Sequence, residues 1–317
     1  MPSAFIFPGQ GSQSVGMGQS LAEVFAPARK VFQEVDAALG EKLTAIMWNG
    51  PAEQLTLTEN AQPALMAVSL AGMRVLQAEA GLELRSHAQF VAGHSLGEYS
   101  ALAAAGALTI ADTARLLRIR GRAMQKAVPL GTGAMAAFIG FEFAEAAAVA
   151  AEAAQGDVCQ AANDNGGGQV VVSGSKAAVE RAIEIGKARG AKRAVMLPVS
   201  APFHCALMRP AADAMAEALA GVAIAPPAVP LVANVLARPI SDPGEIVRSL
   251  VEQVTGTVRW RESVGHMADA GVNTFYEVGA GKVLSGLVKR IAPGATGVAV
   301  GTPEDVAAFM SARASGP

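Results

Sequence analysis

Ser95 stands between two glycines in the stretch Val91-Ala92-Gly93-His94-Ser95-Leu96-Gly97-Glu98. Gly-x-Ser-x-Gly is the pattern of a nucleophile elbow, where a strand ends, the chain turns sharply and a helix begins. The flanks fit that reading. Phe90-Val91-Ala92 is a short apolar run of strand type, and residues 98–105 are good helix formers. The glycines leave room where strand and helix come close together. The serine would then stand at a helix N-terminus, whose free N–H groups and dipole favour negative charge. Such a place suits a hydroxyl that becomes an alkoxide and a carbonyl that becomes an oxyanion. On its own the pattern fits many hydrolases.

A serine nucleophile needs a base, most often histidine, and the chain has four histidines. His94 adjoins Ser95, so at a sharp turn its side chain diverges and is expected to make a structural contact behind the elbow. His87 lies in a polar link and His266 on an amphipathic helix, both surface positions. His204 sits in Val199-Ser200-Ala201-Pro202-Phe203-His204-Cys205, a loop between a strand and a helix, where site residues concentrate. It is the candidate base. Cys205 reads as a small buried apolar residue.

Helical geometry singles out Arg120. Over the helix that ends near Lys126, Leu116, Leu117, Ala123, Met124 and Ala127 form one apolar face, and Arg120 falls in its middle. A buried guanidinium is unfavourable unless paired, and no carboxylate on this helix shares the stripe. Either an Asp or Glu arrives from elsewhere, or the anion is a ligand. The planar fork of arginine suits bidentate capture of a carboxylate.

Composition narrows the class. The chain has 317 residues, 51% of them hydrophobic and 16% charged, with a net charge of −2. It can bury a large core, and without a basic block nucleic acid is not an expected partner. Two cysteines, Cys159 and Cys205, make neither a disulfide framework nor a metal-ligand spacing, so no metal and no cofactor are expected. Residues 1–8 lack the basic start and apolar core of a signal peptide, and no apolar run is long enough to span a bilayer. A soluble, cytoplasmic protein is expected.

The elements that must position these residues follow from periodicity. A first strand over 4–7 runs into the loop Pro8-Gly9-Gln10-Gly11-Ser12-Gln13. Helices are predicted over 21–35, over 64–80 (entered through Gln62-Pro63) and over 109–126. Strands alternating with helices argue for a parallel α/β sheet. Between residues 128 and 199 the order becomes β-α-β-β-α-β, that of a ferredoxin-like unit. Its strands are predicted over 134–140, 158–161, 169–174 and 194–199, its helices over 143–154 and 176–189. A helix over 205–220, a strand over 231–234, helices over 243–253 and 260–270, a strand over 274–278 and a helix after Gly281 return to the first unit. The expected fold is α/β: a large α/β-hydrolase-like domain of residues 1–127 and 200–317, carrying a small inserted subdomain of residues 128–199.

With these residues in hand, the chain resembles the malonyl-CoA:acyl-carrier-protein transacylases of fatty acid synthesis, relatives of the acyltransferase domains of polyketide synthases. The resemblance spans nearly the whole chain. It rests on Phe7-Pro8-Gly9-Gln10-Gly11-Ser12-Gln13, Gln62-Pro63-Ala64-Leu65, Gly93-His94-Ser95-Leu96-Gly97-Glu98-Tyr99, Arg120-Gly121 with Met124-Gln125, Asn163 and Asn165 with Gln169, Pro202-Phe203-His204, and Gln253 with Val258-Arg259-Trp260. The resemblance implies Ser95 as nucleophile, His204 as base and Gln253 as the residue whose main-chain carbonyl orients His204. It implies the backbone N–H groups of Gln10 and Leu96 as oxyanion hole, Arg120 as the ligand of the malonyl carboxylate, and Gln10 and Asn163 as substrate-binding residues. It implies malonyl-CoA and a phosphopantetheinylated acyl carrier protein as partners, in a ping-pong exchange through a malonyl-serine ester; a monomer is the default expectation. A polyketide-type acyltransferase for substituted malonyl groups and a serine esterase or lipase are the alternatives. An acidic carrier would need a basic surface, for which Lys187, Arg189, Lys192, Arg193, Lys289 and Arg290 are candidates. The turn at residues 163–168 carries glycines, and position 280 is Ala280, where relatives often have proline.

Overall fold

Alternate residues of one short strand are sorted into two apolar cores. Ser3–Phe7 is buried along its whole length. Phe5 and Phe7 enter one core, Ala4 and Ile6 the other, as the period of two along a strand requires. A strand buried on both faces needs helices on both sides of its sheet. The computed structural model describes residues 2–314. Met1 and residues 315–317, which the sequence reading assigns to the larger domain, lie outside the described residues.

In chain order the strands are β1 Ser3–Phe7, β2 Phe90–Gly93, β3 Gly133–Ile139, β4 Cys159–Gly166, β5 Gln169–Ser175, β6 Arg193–Met196, β7 Leu231–Val232, β8 Pro239–Ile240, β9 Thr274–Val278 and β10 Thr296–Val300. They form a six-stranded sheet, ordered β10-β9-β1-β2-β7-β8, and a four-stranded sheet, ordered β4-β5-β3-β6. In the first sheet every pair is parallel except β7 with β8. β1 lies between β2 and β9, so the chain order reverses there, and ligands bind beyond the carboxyl ends of strands at such a point. Phe7 stands beside Gly93 in register, which brings the Gln10 loop and the elbow out at the same end.

Helix Thr58–Ala80 runs through the Phe5/Phe7 core, buried over most of its length. Helices Trp260–Asp269 and Val283–Ile291 cover the Ala4/Ile6 side. The second sheet is antiparallel, carries helices Phe143–Ala154 and Lys176–Ala188, and has its own core around Phe138, Val149 and Val172. It is laced to the first unit along β4. Asp164 N donates to Val258 O at 2.9 Å, Val258 N to Ala162 O at 2.9 Å, and Arg261 pairs with Asp164 at 2.9 Å.

The chain departs from its periodicity at identifiable residues. The helix predicted over 21–35 is two helices, Gln19–Val24 and Ala26–Leu39, broken at the extended Phe25. Pro27 cannot donate back to the preceding turn, so the helix starts afresh at Ala26 with Pro27 in its first turn. The helix predicted from 64 begins at Thr58, with Pro63 inside it. The carbonyl of Glu59, which Pro63 cannot satisfy, accepts instead from Arg118 Nη1 at 2.8 Å. The predicted 205–220 helix is a 3₁₀ turn, Ala206–Met208, followed by Arg209–Ala220. The strand predicted over 231–234 stops at Val232. β8, β10 and helices Leu43–Asn49, Ala52–Thr56 and Pro303–Ala314 have no counterpart in the sequence reading. Among the described residues no helix is long and apolar enough to cross a membrane.

Candidate active site

The elbow can be made only with its two glycines. A Cβ on Gly93 would lie 1.9 Å from the carbonyl of Gly97, and one on Gly97 would lie 2.3 Å from Phe7 O. Ser95, between them, has φ of 54°, a left-handed backbone that strains a non-glycine residue by about 1–2 kcal/mol. Asn234 holds the strained turn. Its Oδ1 accepts from Ser95 N at 2.8 Å and its Nδ2 donates to Gly93 O at 2.7 Å. Asn234 follows directly on β7 and its flanking residue, so the early end of that strand frees it to turn towards the elbow. Helix Gly97–Ala104 leaves from Leu96.

His204 is brought to the serine from the loop after β6. Ser95 Oγ lies 2.8 Å from His204 Nε2, and His204 Nδ1 lies 2.9 Å from the main-chain oxygen of Gln253. A carbonyl can only accept, so Nδ1 carries the proton and Nε2 is left as acceptor for the serine hydroxyl. Burial, and then the Arg120 charge, push the His204 pKa down to about 3, so the resting ring is neutral with Nε2 unprotonated. His204 also has a left-handed backbone, with φ of 58°. Both partners of the short Ser95–His204 contact are therefore held in strained conformations, a feature that clusters at functional sites.

Arg120 arrives on helix Ile110–Lys126 and is 1% exposed. No carboxylate forms an ion pair with it among the described residues. Nη1 donates to Gln62 Oε1 at 2.7 Å, and Nη2 donates to Gln253 Oε1 at 2.8 Å and to Ser95 Oγ at 3.1 Å. The guanidinium lies over the Tyr99 ring, 5.8 Å from its centroid. Burial lowers its pKa, against the pull of Tyr99 and Glu98. Of the two readings left open by helix geometry, a structural ion pair is not what the fold provides. A cation gripped by neutral amide oxygens, with donors facing Ser95, can bind an anion next to the hydroxyl.

Ser95, His204, Arg120 and Gln62 line a cavity of about 480 Å³, to which Gln10, Leu96 and Asn163 also contribute, and Gln253 stands behind them. The side chain of Gln10 is tied down by Thr58 Oγ1, which donates to its Oε1 at 2.8 Å. Asn163 is buried, and its backbone pairs with Val258 across the junction of the two sheets. Ser95, His204, Arg120, Gln253, Gln10, Leu96 and Asn163 thus converge on one place. The remaining histidines do not join Ser95. His94 contacts Asn165 Oδ1 through Nε2 at 2.9 Å and lies beside Trp260. His87 is half-buried at the end of a four-residue helix, and His266 packs edge-on against Phe90. Cys205 is buried, its thiol donates to Pro202 O at 3.2 Å, and burial raises its pKa. No group of His, Cys, Asp and Glu suited to hold a metal occurs among the described residues.

Three residues of the site escaped the sequence reading: Gln62, Asn234 and Glu98. In the sequence Gln62 is a helix-entry residue and part of a motif of the resemblance, with no role attached to it. Glu98 Oε2 accepts from Gln253 Nε2 at 2.9 Å and from Asn234 N at 3.2 Å, while its Oε1 has no partner. Burial pushes its pKa up to about 7, against those hydrogen bonds and the Arg120 charge. The signal that found Arg120 was available here too, since Glu98 is the one carboxylate in a helix buried at every position.

A serine such as Ser95, with a neutral imidazole to take its proton, can receive an acyl group from a carbonyl and hold it as an ester. The chain belongs to the acyl transferase domain family, whose model matches residues 4–302. It is similar to the malonyl CoA-acyl carrier protein transacylase of Escherichia coli strain K12, with 49% identity over 97% of this chain and 98% of that protein. A crystal structure of an acyl-carrier-protein-S-malonyltransferase from Bartonella henselae superposes with a TM-score of 0.96 at 56% identity, covering 98% of this chain and 99% of that one. A malonyl-transacylase in complex with its type II PKS acyl-carrier protein superposes with a TM-score of 0.95 at 42% identity, covering 98% and 100%.

Proposed function

We propose that this protein moves malonyl from malonyl-CoA to the phosphopantetheine thiol of an acyl carrier protein, supplying fatty acid synthesis. The observation that carries the substrate is Arg120: buried, without a carboxylate partner, and 3.1 Å from Ser95 Oγ. Malonyl offers both groups such a site needs, a thioester carbonyl for the serine and a free carboxylate for the arginine. The exchange is ping-pong. Ser95 gives its proton to His204 Nε2 as Oγ attacks the thioester carbonyl. The oxyanion is received by the backbone N–H groups of Gln10 and Leu96. His204 returns the proton to the sulfur as coenzyme A leaves, and a malonyl ester remains on Ser95. The carrier thiol then gives its proton to His204 and attacks the ester; the ester carbon–oxygen bond breaks and His204 returns the proton to Ser95 Oγ, which restores the free enzyme. The carbonyl of Gln253 serves where many triads place an aspartate; a thioester is reactive enough for a neutral orienting group. Gln10 and Asn163 form the wall against which the acyl group is held.

Initial rates measured against both substrates should give parallel double-reciprocal lines. Intersecting lines would mean that both thiols bind together, and release of free malonate in place of transfer would mean a hydrolase.

Residues 128–199 are read as a ferredoxin-like insert in an α/β-hydrolase-like domain of residues 1–127 and 200–317. The order β4-β5-β3-β6, with helices after β3 and β5, supports it. The carrier surface is placed at Lys289 and Arg290. They close the helix Val283–Ile291, whose Val283, Leu284 and Leu287 line the cavity, whereas Lys187 and Arg189 already pair with Glu184 and Glu152. Reversing both charges, Lys289→Glu with Arg290→Glu, should raise the KM for carrier protein roughly tenfold, as loss of steering charges does, and leave loading by malonyl-CoA unchanged. Equal KM values would remove this surface. The reading includes a monomer acting in the cytoplasm, and the net charge of −2 supports leaving nucleic acid aside.

A further inference from the structure

We infer that Glu98 is a positioning residue for substrate selectivity, which fixes the side-chain amide of Gln253 so that its oxygen, not its nitrogen, faces Arg120. The inference rests on the proposed role of Arg120 and adds what holds that arginine ready.

Gln253 is the hub of the site. Its main-chain oxygen accepts from His204 Nδ1, and its side chain makes three further contacts. Oε1 accepts from Arg120 Nη2 at 2.8 Å, while Nε2 donates to Ser95 O at 2.9 Å and to Glu98 Oε2 at 2.9 Å. An amide presents an acceptor at one end and donors at the other. Turned over, it would set N–H against the N–H of Arg120, and oxygen against a carbonyl and a carboxyl oxygen. All three contacts would become repulsive. Glu98 and the Ser95 carbonyl therefore select one orientation between them, and Glu98 supplies the charge-assisted bond, the stronger kind.

The arrangement answers a difficulty of a buried arginine. Without a counter-charge it is strongly unfavourable, yet a carboxylate gripping its fork would occupy the donors meant for a substrate. Here the carboxyl stands one amide away. Glu98 contributes a favourable field at Arg120, and Gln253 is interposed, so the guanidinium is held without being neutralised by direct contact. Glu98 reaches the elbow as well, through Asn234 N, and Asn234 in turn holds Ser95 N and Gly93 O. One carboxyl thus connects the selectivity arginine, the base and the nucleophile turn without touching the substrate.

The test compares malonyl-CoA with acetyl-CoA, which lacks the carboxylate, at about pH 8, above the raised Glu98 pKa. The readout is the ratio of kcat/KM values for acylation of Ser95. Rates are normalised to active sites counted with a neutral fluorophosphonate. Glu98→Met removes the acceptor at similar size. It should lower the malonyl-to-acetyl ratio roughly tenfold, the scale of one charge-assisted hydrogen bond. Glu98→Gln keeps an acceptor in place and should retain more of the ratio. Gln253→Met keeps the main-chain carbonyl for His204 and should lose the ratio as Glu98→Met does. The double variant should lose no more than Gln253→Met alone, because the two act in series. A purely structural role would lower both substrates equally, along with the melting temperature, and would overturn the inference, as would an unchanged ratio. If Glu98→Met does not fold, Gln253→Met and Glu98→Gln decide alone. Failure of the unsubstituted protein to load malonyl would instead defeat the proposed function, so the two failures are distinguishable.

Discussion

Arg120→Ala should lower kcat/KM for malonyl transfer by roughly 10³–10⁴-fold, while acetyl transfer changes far less. A site built to bond a polar group rejects the analogue lacking it by factors of this order, because its own buried groups are left unpaired. The same reasoning runs in reverse for the variant. Without the guanidinium, the malonyl carboxylate would enter a buried pocket with no counter-charge. Acetyl brings no such group, and removing the arginine also removes the unfavourable burial that acetyl leaves uncompensated. The variant should fold, since Arg120 is held by the amide oxygens of Gln62 and Gln253 and not by an ion pair. Steady-state rates with both thioesters check this. Equal losses for the two would end the assignment of Arg120 to the malonyl carboxylate.

The second large effect belongs to Ser95 and His204, the proposed nucleophile and base. Ser95→Ala should reduce malonyl transfer by roughly 10⁴-fold or more, and His204→Ala should lose nearly as much. The double variant should be little worse than either, because residues that act as a unit are strongly non-additive. The geometry gives the reason. The hydroxyl is 2.8 Å from a ring nitrogen whose other face is fixed by Gln253 O, so neither residue has a second route for the proton. Both residues carry left-handed backbone conformations, a strain that alanine meets equally, so Ser95→Ala should leave thermal stability nearly unchanged, whereas His204→Ala also leaves a buried gap and an unpaired Gln253 O and should lower the melting temperature. Progress curves from stopped reactions separate these outcomes. A His204→Ala protein with rates within tenfold of the parent would place the base elsewhere.

Much of this site was legible in the residues before any coordinates. Ser95 announced itself because an elbow needs glycines at fixed spacing, and the 1.9 and 2.3 Å clashes at Gly93 and Gly97 show why. Arg120 was visible because a charge on an apolar helical face is improbable without a task. Elements with strong periodicity are legible closely: the helix expected over 109–126 is Ile110–Lys126, with Thr109 as its N-cap. Two kinds of feature were not legible. Prolines act through backbone partners that a single stretch does not show: Pro27 lies in the first turn of a new helix, and Pro63 lies inside one because Arg118 takes the carbonyl it leaves free. Polar residues acting through other residues left no local pattern. Asn234 looks like the end of a strand, and Gln62 looks like the start of a helix. Glu98 looks like a helix former until its whole helix is known to be buried. Their roles exist only once β2, β7 and helix Pro243–Gln253 meet, and contacts of such long separation have no signature in a single stretch of sequence.

The central claim is that Ser95 carries malonyl between two thiols, and intact-mass spectrometry of the protein mixed with malonyl-CoA and quenched addresses it most directly. The account predicts a gain of one malonyl group, mapped by fragmentation to Ser95, absent from Ser95→Ala, and discharged when phosphopantetheinylated carrier protein is added. An unmodified protein that still transfers malonyl, or a malonyl group borne by any other residue, would contradict it.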